Sequence, residues 1–144
     1  MPAAKRPRPT RGRLTLDHAI IAVLLAAMDA NRHVSAEEAA RAHHIIWSTR
    51  RFRRRSGESV DRLVGIVRDR FERDGTEVVL AHVARVVPAR LRAPLFAVAV
   101  DVMLADTRLE RAERAFIRQL ADVLRVRAPQ AAAIVKVILT KNSV

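Results

Sequence analysis

The amino-acid sequence predicts an all-α protein: a single compact bundle of about seven helices, built from two pseudo-twofold-related repeats, behind a flexible basic arm. Three observations predict it. Apolar residues recur at three- and four-residue spacing along most of the 144 residues, and the one β-branched run suited to a strand has no second strand to pair with. The apolar content is mostly Ala, Val, Leu and Ile, with only four Phe and one Trp, which suits closely packed helices. The chain also matches itself without gaps at a shift of 75 residues.

In chain order, residues 1–13 carry three Pro and five cations and are expected to form the arm; residues 14–144 form the helical domain. TLDHAIIAVLLAAM, from Thr15, is apolar nearly all round after its first turn, which predicts a buried central helix with Asp17 at its positive end. After a turn at DANRH, Ser35 to Glu38 has the form of a capping box. The helix it opens, with Ala39, Ala42, Ile45, Ile46 and Phe52 on one side, is expected to end near Ser56 and Gly57. A third helix spans Val60 to Asp74, stopped by Gly75, and TEVVLAHVARVV is a fourth. Pro88 and Pro94 are expected to lie in a connection, followed by the second strongly apolar helix, PLFAVAVDVMLA. An amphipathic helix, LERAERAFIRQLADVLRV, and a last one after Pro129 complete the set.

Composition removes several classes of function. With no Cys there is no disulfide framework, thiolate zinc site or thiol nucleophile. The longest uncharged apolar run, Ala19 to Met28, is ten residues, against about 20 for a bilayer span, so no transmembrane segment is expected and the cytoplasm is the expected compartment. No phosphate-cradling glycine loop or GxSxG motif occurs, and no HExxH spacing, so no enzyme activity is expected. His43 and His44 point about 100° apart on a helix, and His18 and His82 read as ordinary helix residues.

The net charge of +12 is concentrated. Lys5, Arg6, Arg8, Arg11 and Arg13 lie in the arm, and Arg50, Arg51, Arg53, Arg54 and Arg55 lie in TRRFRRRS, expected at a helix end. Setting those ten aside leaves 17 basic side chains against 15 acidic ones, so the remainder is nearly neutral. Both clusters suit phosphates of nucleic acid or an anionic membrane surface, but aromatic stacking residues are scarce.

The internal match lays residues 20–45 over 95–120. Ala22, Val23, Met28, Ala30, Glu38 and Ala40 meet Ala97, Val98, Met103, Ala105, Glu113 and Ala115. Apolar helix, turn and amphipathic helix coincide, giving repeats at about 17–55 and 92–127. Each copy has an Asx at the end of its first helix (Asn31 or Asp106), an apolar residue three later and a Glu seven later (Glu38 or Glu113).

With ANRHVSAEE (30–38) and ADTRLERAE (105–113), the sequence resembles the TerB-like family of tellurite-resistance operons over about residues 17–140. In that family an apolar helix ends in Ala-Asp-Gly-x-Ile/Val, followed by a polar residue and a Glu, in tandem. The resemblance implies a helical bundle with pseudo-twofold halves, acidic positions that bind a metal, and a non-catalytic role in a stress-response complex with a protein partner. The first copy departs from the pattern at Asn31 and Arg32, the second at Thr107. The implied metal site therefore falls on Asp106, Glu110 and Glu113, with Asp29, Asn31 and Glu38 as its weaker counterpart. No cofactor is required by the sequence; three convergent carboxylates suit weakly bound calcium or magnesium. The same acids have a structural reading: Thr107 and Glu110 as a capping pair, and Glu113 paired with Arg111, Arg114 or Arg118. Asp101, set in the apolar run AVAVDVMLA, is expected to need a helix–helix partner.

Overall fold

The computed structural model describes residues 12–30, 40, 44–104 and 109–144. Among them every regular element is helical. They are α1 (Leu16–Ala30), a short helical segment at 44–48, α2 (Gly57–Asp74), α3 (Thr76–Val86), α4 (Ala89–Met103), α5 (Arg111–Val123) and α6 (Ala128–Lys141).

Helix α1 is the axis of the bundle. All nine residues from Ala19 to Ala27 are buried, and α1 packs against α2, α3, α4 and α5. A helix without a polar face has no stable place at a surface, and its Ala positions let neighbouring backbones approach. The other helices cover it with narrower stripes: Val60 and Val67 of α2, Val79, Leu80 and Val83 of α3, and Ile117, Leu120 and Ala121 of α5. Helix α4 is the second buried helix, through Leu95, Phe96, Ala99, Val100 and Met103, and it packs against α6 as well as α1.

Several boundaries differ from the sequence-based expectation, each for a local reason. The helix expected to run to Ser56 ends at residue 48; residues 49–55 are turns closed by Phe52 N–H to the Thr49 carbonyl (2.8 Å) and Arg55 N–H to that of Phe52 (3.0 Å). Phe52 is fully buried and anchors those turns. Ser56 and Gly57 do not merely stop a helix. Ser56 is the N-cap of α2, its Oγ accepting from Ser59 N–H at 3.2 Å. Gly75 ends α2 with φ 81°, a conformation open to glycine at little cost.

Pro94 lies inside α4, which begins at Ala89. It has no N–H to give the Arg90 carbonyl, and the apolar contacts of the following residues outweigh that loss. Asp101 is not buried. Its side chain is 47% exposed and accepts from Lys141 Nζ of α6 at 2.8 Å. Beside it, Asn142 Nδ2 donates to the Leu104 carbonyl at 3.2 Å, so the end of α6 is tied to the end of α4.

Of the expected arm, only Gly12 and Arg13 are among the described residues; both are exposed, and Arg70 Nη2 donates to the Gly12 carbonyl at 3.2 Å. The capping box at Ser35–Glu38 lies outside the described residues.

Candidate functional site

Two sets of residues were singled out by the sequence. The main acidic set, Asp106, Glu110 and Glu113, falls in sequence between the end of α4 and the first turn of α5. Asp106 and Thr107 lie outside the described residues, as do Asn31 and Glu38 of the weaker set. Glu110 is exposed and occupies the N-cap position of α5, with no side-chain capping bond. It therefore stands at the start of the helix and not on its flank, and Glu113 follows one turn on.

Glu113 is 5% exposed, the one buried charged side chain among the described residues. Its place in the first turn of α5 puts the carboxylate at the positive end of a helix dipole, a favourable setting for an anion. Asp29 is exposed near the end of α1. Among the described residues no three His, Asp or Glu side chains gather as a metal-binding group.

The basic set is fully described. Arg50, Arg51, Arg53, Arg54 and Arg55 are all exposed on the turns around buried Phe52. Two of them are committed to the fold. Arg51 Nε and Arg55 Nη2 both donate to the carboxylate of Asp17, which is only 13% exposed in the first turn of α1. Arg55 Nη1 also donates to Ser59 Oγ at 3.0 Å, and Arg53 Nε reaches the Ser48 carbonyl at 3.4 Å. The cluster is thus held in place, with much of its charge facing outward.

Sequence reasoning assigned Asp17 to the helix dipole alone and missed its role as the anchor of the arginine turn. It also passed over His18, whose Nδ1 accepts from the backbone N–H of Thr15. Partial burial lowers the pKa of His18; neighbouring Asp17 raises it, and Arg55 and Arg70 lower it. The T-x-x-H spacing at 15–18 was the available signal, since it mirrors the T-x-x-E capping box.

A cleft also opens between α1, residues 45–51 and α4, with a volume of about 890 Å³. Among the described residues no helix is long and apolar enough to cross a membrane.

Compared with known proteins, the chain matches no curated protein and no solved structure. The family model described as tellurite resistance protein TerB matches residues 17–136, from the first turn of α1 into α6, and so takes in the helical core and both turn motifs. The chain belongs to the TerB family.

Proposed function

We propose that the protein is a non-enzymatic accessory and interaction domain of a tellurite-resistance-type stress system, acting in the cytoplasm on a protein partner. In this reading the α4–α5 corner binds a divalent cation weakly through Asp106, Glu110 and Glu113. Family membership over residues 17–136 carries it. The placement of Glu113 supports the site: it is a buried acid in the first turn of α5, and a carboxylate is the donor type that calcium and magnesium take. Asp29, Asn31 and Glu38 form the weaker counterpart. We read the two halves as copies; α1 and α4, the apolar helices of the two halves, lie directly against one another.

The test is calorimetric titration of calcium, magnesium and zinc into metal-free protein at near-physiological salt, with Asp106→Ala and Glu113→Gln alongside. Saturable heat, lost in both variants, supports the site. No heat and an unchanged melting temperature would assign the corner to helix capping and packing, and the interaction role would stand without a metal.

A second reading rests on the outward-facing arginine turn. Here the arm and Arg50–Arg55 dock on nucleic acid or an anionic surface. Steep weakening of heparin binding with salt, made shallower by Arg50→Gln, Arg53→Gln and Arg54→Gln together, would favour it. A partner retained at high salt would favour the first reading.

A further inference from the structure

Among the described residues the cleft between α1, residues 45–51 and α4 is lined by neither Glu110 nor Glu113, and it has a chemistry of its own. Its floor is aliphatic: Ile20 and Leu24 from α1, and Leu91, Leu95 and Val98 from α4. Among the described residues no aromatic side chain lines it, so none of them offers a face for stacking a ring or a base. Among the described residues the cations that line it are three arginines, Arg50, Arg51 and Arg90, and the one acid, Asp101, is paired with Lys141. At about 890 Å³ the space falls in the range of small-molecule sites, roughly 300–1,000 Å³.

We propose that this cleft binds a single-chain anionic amphiphile, a long-chain aliphatic carboxylate. The floor takes the methylene chain and the rim takes the head. Two complementarities support that occupant over others. An all-aliphatic floor rewards methylene groups one by one and gives no hydrogen bond to a polar ring. The exposed arginines that line it match a carboxylate in charge and, through paired N–H donors, in shape. Arg51 is the least free of the three, because Asp17 shares it. Arg50 and Arg90 are therefore assigned to the head group.

The test is calorimetric titration of the full chain with laurate, decanoate and dodecanol, each kept below its aggregation concentration. Laurate should bind saturably at one site. Each methylene lost should weaken binding by about two- to four-fold, four-fold being the limit for full burial. Dodecanol should bind at least ten-fold more weakly than laurate. Arg50→Gln combined with Arg90→Gln should weaken laurate at least ten-fold and leave dodecanol nearly unchanged; both side chains are exposed, so the melting temperature should hold.

Absence of saturable laurate binding would overturn the proposal. So would equal affinity of laurate for the double variant, or an affinity indifferent to chain length. Saturable binding of an acidic amphipathic peptide with none of laurate would also overturn it, and would make the cleft a protein-docking groove. Calcium or magnesium titration reports on the acidic corner independently, so failure here leaves that reading untouched.

Discussion

Thr15 and His18 cap the N-terminus of α1 reciprocally. The Thr15 hydroxyl accepts from His18 N–H at 3.2 Å, and His18 Nδ1 accepts from Thr15 N–H at 3.1 Å. This is the geometry of a capping box, with an imidazole where a Glu or Gln is usual. Nδ1 can accept only while it is unprotonated, which puts the neutral ring's proton on Nε2.

The cap should therefore make stability depend on pH. Burial is the largest influence on His18 and lowers its pKa below the ordinary 6.5. As pH falls through about 6.5 the unfolded chain takes up a proton that the folded chain refuses, so stability falls with it. The contribution is fully present above that range and stops changing below the folded-state pKa. Denaturant melts from pH 8 to 5 should show a slope that flattens in His18→Gln, which keeps an acceptor without titrating. An unchanged slope would show that another group is responsible. His18→Ala should cost about 1 kcal/mol at pH 7.5 through loss of the cap.

Asp17 joins the start of α1 to the arginine turn. It contributes through the dipole, about 0.3–1 kcal/mol, and through two ion pairs worth about 0–1 kcal/mol each. Asp17→Asn should lower stability by about 1–2 kcal/mol, and the difference from wild type should shrink in 1 M salt. Hydrogen exchange should speed up at residues 49–55. By removing the charge that raises the His18 pKa, the same variant should shift the imidazole titration, followed by NMR, to lower pH.

Phe52 holds the arginine turn against the core. Phe52→Ala should cost about 3–5 kcal/mol in urea unfolding. Replacing its exposed neighbour Arg54 by Ala should change stability by less than about 0.5 kcal/mol.

The end of α5 contains a stabilising opportunity. Arg125 has φ 53°, with its N–H bonded to the Asp122 carbonyl (3.1 Å) and Val126 N–H bonded to that of Ala121 (2.9 Å). That is a Schellman motif with Arg at the position where glycine is usual. Arg125→Gly should raise stability by about 0.5–1 kcal/mol, measured as a higher melting temperature. A lower one would mean that the Arg side chain contributes more than its backbone strain costs.

Legibility in the sequence varied with how local the deciding interaction was. The run from Ala19 to Ala27 is apolar on every side, and burial on every side follows. Residues 76–86 formed a helix, as the lack of a pairing strand required. Pro94 misled because its local cost, about 3 kcal/mol within a helix, is offset by the packing of Leu95, Phe96, Ala99 and Val100, which no local pattern weighs. The acidic corner was legible as a motif, and the inward position of Glu113 emerged only with the packing of α5. The arginine cluster was legible as charge. Its attachment to Asp17 was not, since those partners lie 34 and 38 residues apart.

Helical class, the central place of α1 and membership of the TerB family were written into the sequence by itself, because periodicity, capping and motif spacing are properties of neighbouring residues. Tertiary structure alone decided which arginines are tied down by Asp17, that Asp101 meets Lys141 at the surface, and that α1 and α4 flank a cleft of aliphatic floor and basic lining. Those features depend on the angles at which helices pack, and packing is settled by the summed burial of side chains distant in sequence.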